Sequence, residues 1–477
     1  MALVVLLSVL TAVLVGCCRS ISLSWWFATT LLLMFVAVLL AGRLRKANGV
    51  CVLVLGDIGR SPRMQYHALS FARHGIRVHL LGYRGSTPRP EVMEHKMIKV
   101  NFLPEGPSMQ GGGRLVKYMS KVFAQVVILM YSLLFSIPRT QWILMQTPPG
   151  MPAVGVAVVC ALIRGSQLII DWHNYGDTLL ALSLGSSHPL VCLYRWYEKT
   201  FALLASGHLC VTRAMCTDLQ EKWNIRARTM YDRPPAFFQE TPLETQNELF
   251  SRLAISEAAF DAPGENSTVI TERETNGDKI FKRVGRPALI MSSTSWTEDE
   301  DFSILLSALE AYEKEKELGV SLPSLLCVIT GKGPLKEHYK KEIASKYFKH
   351  VTISTPWLRA EDYPLFLGSA DLGVCLHNSS SGLDLPMKVV DMFGCALPVC
   401  AMNYPCLAEL VQHGENGLVF GDSLELAQQL KRLFTGFPSS QEELLRFRKN
   451  LKTFQTQRWD ENWDKTVVPL LQELGGI

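Results

Sequence analysis

Short apolar strands that end in polar or glycine-bearing loops, each followed by a helix, recur along this chain, and no other feature constrains the fold as much. The stretch "VCVLVLGDIGRSPRMQYHALSFARHGIRVHLLGY" reads as a strand over 50–55, a loop, a helix over about 63–74, Gly75, and a strand over about 77–81. The rhythm returns at "WILMQ", "QLIIDWHN", "HLCVTRAM" and "ARTMYD". It fades between 239 and 282, then restarts with "PALIMSST", "SLLCVITG", "HVTIS", "DLGVCLH" and "LPVCAM". Alternating strand and helix implies parallel sheets covered on both faces, with ligands beyond the carboxyl ends of the strands. The fold expected is α/β, with two doubly wound Rossmann-like domains (47–238 and 285–477) facing a cleft. Residues 239–284 read as a polar linker or insertion.

The first 42 residues hold a single charge, Arg19, and the uncharged run over 20–42 is long enough to cross a bilayer core of about 30 Å. Arg43, Arg45 and Lys46 follow at once, so the positive-inside rule places the chain beyond them in the cytosol. Residues 1–46 are therefore expected to form an uncleaved anchor, with the apolar stretch 1–16 as a second span, a membrane-dipping segment or a signal peptide. Glycans on the sequon asparagines Asn266 or Asn378 would put the body in the lumen instead. Two more apolar segments, 122–137 and 151–163, read as buried helices covering the sheet. For the first, the alternative is a place in the membrane interface.

Net charge is only +4, which gives no footprint for nucleic acid. The twelve cysteines include no CxxC pair, which argues against a zinc site and for a reduced, cytosol-facing body. "LGDIGRSPRM" lacks G-x-G-x-x-G, which argues against a dinucleotide dehydrogenase.

In "SSSGLDLPMKVVD", the turn over 379–382 and Pro386 lead into a helix whose N-terminus attracts phosphate. Lys388 and Asp391 are three apart and share a face, where an ammonium can meet a diphosphate and a carboxylate can bind ribose hydroxyls. Spacing alone equally fits a capped helix with a solvated edge. Near the first strand tip, Gly56 and Gly59 open a loop that can lie against an acceptor diphosphate with Arg60 and Arg63. Asp57 there is either a general base or a helix cap. Asp171, His173 and Asn174 end another strand, with His173 either structural or a base. The acids 298–301 suggest a metal site, but Thr297-x-x-Glu300 reads as a capping box and that reading is preferred. Ser293 and Thr294 can touch donor phosphates, Lys332 in "ITGKGPL" can lie near a nucleotide or in a plain turn, and His377 ends a strand beside the donor turn.

With "LGDIGRSPRMQYHALS", "DWHNYG", "SSTSWTEDEDF", "ITGKGPL" and "TPWLRAEDYPLFLGSADLGVCLH", the segment "GLDLPMKVVDMFGCALPV" resembles the chitobiosyldiphosphodolichol β-mannosyltransferases, over nearly all of the chain after residue 50. That resemblance implies a GT-B fold without an obligatory metal. It also implies inverting transfer of mannose from GDP-mannose to GlcNAc2-diphosphodolichol at the cytosolic face of the endoplasmic reticulum, in company with other dolichol-pathway glycosyltransferases. Carried onto this chain, it puts Lys388 on the donor diphosphate and Asp391 on the ribose; Asn174, at its strand tip, is the candidate on the acceptor side. Where many GT-B relatives have a glutamate eight residues before the second acid, this chain has Leu383, with Asp384 one place later as the donor-sugar candidate. Alternatives are a GT-B transferase using another nucleotide sugar, and a noncatalytic membrane scaffold of the same fold.

Overall fold

A computed structural model describes residues 29–30, 47–106, 113–264, 267–274 and 279–475. The expected anchor, apart from Thr29 and Thr30, and the sequon at Asn266 lie outside the described residues.

Among the described residues two parallel sheets carry the fold. The first contains Val50–Asp57 (β1), Val78–Tyr83 (β2), Ile98–Leu103 (β3), Trp142–Thr147 (β4), Gln167–Trp172 (β5), Gly207–Cys210 (β6) and Arg228–Thr229 (β7), in the order β3-β2-β1-β4-β5-β6-β7. Thr271–Arg273 (β8) and Ile280–Lys282 (β9) form an antiparallel pair. The second sheet contains Ala288–Thr294 (β10), Leu325–Gly331 (β11), Val351–Ser354 (β12), Leu372–Cys375 (β13), Val399–Met402 (β14) and Gly417–Phe420 (β15), in the order β12-β11-β10-β13-β14-β15. Strand order reverses between β1 and β4 and between β10 and β13. Those two switch points are where an open α/β sheet leaves a crevice at its carboxyl edge.

The strands were legible because helices cover both sheet faces and turn each strand into a continuous apolar run. In β1 the residues from Val50 to Leu55 are all buried, and only Gly56 and Asp57 at its tip are partly exposed. The two carboxyl edges face each other. Thr212, after β6, donates to the carbonyl of Leu383, after β13, at 2.6 Å, and the backbone N–H groups of Arg213 and Ala214 reach the Glu409 carboxylate at 2.9 and 2.8 Å.

Two boundaries differ from expectation. Residues 239–284 are not a linker: they hold the helix Leu243–Ala254 and the β8–β9 pair. Phe250 and Phe260 stack with centroids 5.7 Å apart, and both are fully buried in one core with Leu289 and Met291 of β10. The polar composition concealed a segment in which two of its three aromatics, Phe250 and Phe260, point inward. At the other end, the helix Trp459–Glu473 leaves the C-terminal domain and completes the N-terminal one. Trp459 Nε1 donates to Ser70 Oγ and Trp463 Nε1 to His67 Nδ1, both at 3.0 Å. Trp463, Val467 and Leu471 are buried in one core with Val50 and Val52.

Phe250→Ala should therefore cost about 3–5 kcal/mol, the usual range for emptying a buried aromatic site. Urea unfolding followed by far-UV circular dichroism measures it, whereas a true linker would leave the C-terminal transition in place.

Candidate active site in the interdomain cleft

The helix Met387–Gly394 starts after Pro386 and brings Lys388 into its first turn, as the spacing predicts. Lys388 Nζ bonds Glu300 Oε1, and its side chain keeps 25% of its surface exposed. Glu300 is almost fully buried. Its Oε2 accepts from Thr294 Oγ1 at 2.6 Å and from the Ser295 N–H at 3.0 Å. The capping-box expectation is thereby corrected: the following helix begins at Phe302 and is capped by Asp301, which accepts from the Ser303 N–H. Glu300 is drawn inward by three donors. Thr294 also accepts from the Trp296 N–H at 2.7 Å and is buried, so its hydroxyl is spent on the loop rather than open to a donor phosphate.

One turn past Lys388, Asp391 meets the N-terminal domain. Burial and the nearby Asp232 push its carboxyl well above the usual range, against the pull of Arg89 and a hydrogen bond from Tyr363. The Tyr363 hydroxyl lies 3.2 Å from Ser293 Oγ, so Ser293, Tyr363 and Asp391 share one wall of the cleft. Lys332 stands exposed after β11 with Nζ 3.9 Å from the Trp357 ring centroid.

Beside them, His377 Nε2 is 3.1 Å from Asp384 Oδ2, and its Nδ1 is 3.6 Å from Asp299 Oδ2. Burial works against the imidazolium, but the Asp299 and Asp384 carboxylates outweigh it and raise His377 to about 9. Asp384 Oδ1 accepts from Asn174 Nδ2 at 3.0 Å, and the same amide reaches Ser380 Oγ at 3.2 Å. Asn174, expected on the acceptor side, is thus tied to the turn that carries Ser380 and Asp384. A cavity of about 470 Å³ opens here, lined by Asn174, Leu179, Leu182, Asp299, Leu335 and His377 among others.

On the N-terminal side, the expectations for the first loop are largely corrected. Arg63 is only 1% exposed: Nε and Nη2 grip Asp171 at 2.8 and 2.9 Å, and Nη1 holds Asp232 at 2.7 Å. Its helix is covered by the C-terminal helix, so the guanidinium serves the core and is not available to an acceptor. Asp57 spends both carboxylate oxygens on backbone N–H groups, those of Gly59 at 2.9 Å and Ser86 at 2.8 Å, so it caps and ties loops rather than standing free as a base. A Cβ on Gly59 would lie 2.3 Å from the Ser86 carbonyl oxygen, so that glycine answers a loop-to-loop contact. At Gly56 a Cβ would meet nothing closer than 3.9 Å. Arg60 is the exposed cation of this loop, with 65% of its side-chain surface open.

His173 Nε2 lies 2.8 Å from Asp171 Oδ2, with the ring 20% exposed at the tip of β5. Asp171 is fully buried. Burial alone would raise it, but the Arg63 guanidinium and His173 outweigh that and hold its carboxyl well below the usual range. An imidazole donating through Nε2 to an ionised carboxylate keeps its Nδ1 lone pair for a proton. Glu300 escaped sequence reasoning because an acid run before a helix looks like dipole compensation. The only signal was its place opposite the β13 tip, which needs the sheet order. Among the described residues no group of three or more His, Cys, Asp or Glu is arranged to hold a metal.

Because His377 is raised above its unfolded value near 6.5, the stability from its two carboxylate partners is full below that pH and is lost as pH rises through about 9. Melting temperature measured between pH 6 and 10 should fall through that window, and His377→Gln should flatten the fall.

Residues 286–436 match the family described as glycosyl transferases group 1. The chitobiosyldiphosphodolichol beta-mannosyltransferase of Mus musculus is 54% identical over 432 residues, spanning 89% of each chain. That of Homo sapiens is 53% identical over 435 residues, spanning 90% of this chain and 94% of the human one. The sucrose-phosphate synthase of Thermosynechococcus elongatus superposes with a TM-score of 0.62 at 13% identity, covering 90% of this chain and 99% of that structure, which shows the shared GT-B fold. Extensive identity over both domains, together with the GT-B architecture, establishes that the chain belongs to the chitobiosyldiphosphodolichol beta-mannosyltransferase family of glycosyltransferases.

Proposed function

We propose that the chain transfers mannose from GDP-mannose to chitobiosyl diphosphodolichol, with inversion to a β linkage, on the cytosolic side of the endoplasmic reticulum membrane. The observation that carries this reading is Lys388, held by a buried carboxylate in the first turn of a helix, with Asp391 one turn on. The helix N-terminus and the ammonium suit a diphosphate, and the carboxylate suits the ribose diol. His377 and Asp384 stand where the donor sugar would project, and Arg60 is the cation open to the acceptor diphosphate.

His173 is the base this geometry favours. Its free nitrogen takes the proton of the acceptor hydroxyl as that oxygen bonds to the anomeric carbon. The bond to GDP breaks on the opposite face, and GDP leaves with the electron pair. Asp171 fixes the ring and stabilises the imidazolium that forms. A cytosolic body agrees with Arg43, Arg45 and Lys46 after the expected span. It also agrees with the place of Asn378, which lines the cleft cavity, where a glycan would obstruct entry.

Purified protein, a phytanyl-tailed GlcNAc2-diphosphate and a panel of nucleotide sugars should yield β-linked mannose from GDP-mannose alone; transfer from no donor would overturn the reading. His173→Ala should lose about 10²–10⁴ in kcat with the KM for GDP-mannose nearly unchanged. Lys388→Ala combined with Glu300→Gln, which avoids stranding a buried charge, should lose GDP-mannose binding in calorimetry.

A further inference from the structure

The chain crosses from the N-terminal to the C-terminal domain after β7, through Tyr231, Asp232, Arg233, Pro234 and Pro235, and returns between Gln455 and Trp459. The two crossings touch: Arg458 Nη1 donates to the Phe238 carbonyl at 3.0 Å. A cavity of about 450 Å³ lies at this hinge. Arg213 and Tyr231 line it from the N-terminal domain, Leu385 and Val390 from the C-terminal one, and Arg233 and Phe454 from the crossings. Its size suits a small organic molecule. It is separate from the Lys388 side of the helix Met387–Gly394. Val390 stands two residues past Lys388, and at 3.6 residues per turn the two side chains lie on opposite sides of that helix.

The acids of this cavity are spent and its guanidiniums are not. Glu409 accepts from the N–H groups of Arg213 and Ala214 at 2.9 and 2.8 Å and from the Tyr231 hydroxyl at 2.6 Å. Asp232 is held by Arg63 at 2.7 Å. Arg233, in contrast, has a buried Nε without a hydrogen-bond partner among the described residues. Burial lowers its guanidinium, and no carboxylate counters that pull. Its Cζ stands 4.4 Å from the Phe454 ring centroid, a cation–π contact that orients the group without satisfying its N–H donors. Arg213 is exposed, with its Cζ 5.9 Å from the Tyr231 ring centroid. Arg63 cancels the charge of Asp232, and Glu409 offsets one of the two guanidiniums, so the cavity keeps a positive surplus.

A buried N–H without an acceptor is costly, and an anion that supplies one relieves the cost. A phosphate ester carries nearly two charges and three acceptor oxygens at neutral pH, so it can take hydrogen bonds from two guanidinium forks at once. We propose that the hinge cavity is a second ligand site, for a small organic phosphate whose charged end meets Arg213 and Arg233 and whose apolar part rests on Leu385 and Val390. Each domain supplies one wall, so an occupant favours the lobe arrangement in which both walls reach it. Val390 also belongs to the helix that carries Lys388 and Asp391, so occupancy bears on the cleft from behind.

Full-length protein in detergent, at low salt and free of phosphate buffer, is titrated with phenyl phosphate by calorimetry, with melting temperature as a second readout. Saturable binding and a raised melting temperature are expected, because a ligand of the folded state stabilises it. Absence of both overturns the proposal. Arg213→Gln with Arg233→Gln should weaken binding by about tenfold or more, the loss of a charge-assisted pair. Arg213 is exposed, so Arg213→Gln alone tests the site without disturbing the hinge and should weaken binding in the same direction; unchanged affinity in both variants overturns the site. Lys388→Ala combined with Glu300→Gln should bind phenyl phosphate as the parent does. Loss of binding there would assign the ligand to the Lys388 side of the helix and overturn a separate site. Inorganic phosphate should bind about tenfold more weakly than phenyl phosphate, since it lacks the apolar part. Equal affinity for the two would mean a plain anion pocket and overturn the organic class. None of these readouts uses mannose transfer, so failure of the proposed reaction and failure of the hinge site are separate results.

Discussion

The pairing of Lys388 with the buried Glu300 sets the geometry on which the C-terminal wall of the cleft depends. Taking a carboxylate out of water costs several kcal/mol unless donors replace the lost hydration. Glu300 gains three such donors: the Lys388 ammonium, the Thr294 hydroxyl and the Ser295 N–H. Those partners come from the β10 tip and from the helix after β13, two strands adjacent in the sheet although distant in sequence. One buried charge thus joins the two sides of the switch point and holds an ammonium at its floor without spending all of its donors. A free lysine would give up side-chain entropy on meeting a diphosphate; this one is already ordered.

The N-terminal domain uses the same device, a buried carboxylate held by a cation. Asp171 is fully buried, and Arg63 satisfies it through two parallel hydrogen bonds, the strongest geometry such a pair adopts. The pair costs desolvation and is weak evidence for stability. Its product is position: the remaining valence of Asp171 fixes His173 at the rim, and the second arm of Arg63 fixes Asp232 opposite Asp391. Because Trp463 of the last helix bonds His67, which lies 3.3 Å from Asp171, the chain's return from the C-terminal domain buttresses the histidine of the N-terminal one.

Much of this was legible in the residues. Parallel strands buried on both faces spell themselves as apolar runs with polar tips, so β1, β2, β4, β5 and the β10 to β14 series could be read directly. Lys388 and Asp391 were legible because three residues make nearly one helical turn. Arg63 was not, since a cation beside a glycine loop reads as exposed until a helix from the far end of the chain is known to cover it. Asp57 carried two meanings, cap or base, and only the position of Ser86 on a separate loop decides between them. Glu300 and the Asn174–Asp384 bridge depend on which strand tips become neighbours, which local patterning does not encode. The polar stretch 239–284 misled for the opposite reason: sparse aromatics build a core contact without altering average composition.

The contacts between the lobes bear on what a donor must do on entering. Burial drives Asp391 toward its neutral form, and the charge of Asp232 adds to that, with only the Arg89 guanidinium and the Tyr363 hydroxyl to offset it. A diol placed there would offer two O–H donors to an ionised carboxylate and relieve the cost that burial and the second acid impose. Asp384 is in a different condition, since His377, Asn174 and Ser379 already occupy it. A sugar reaching that carboxylate has to compete with Asn174, the side chain through which the opposite lobe holds it. On the proposed donor placement, a ribose at Asp391 would gain a bond to the C-terminal domain, whereas a sugar at Asp384 would exchange a bond between lobes for a bond to ligand.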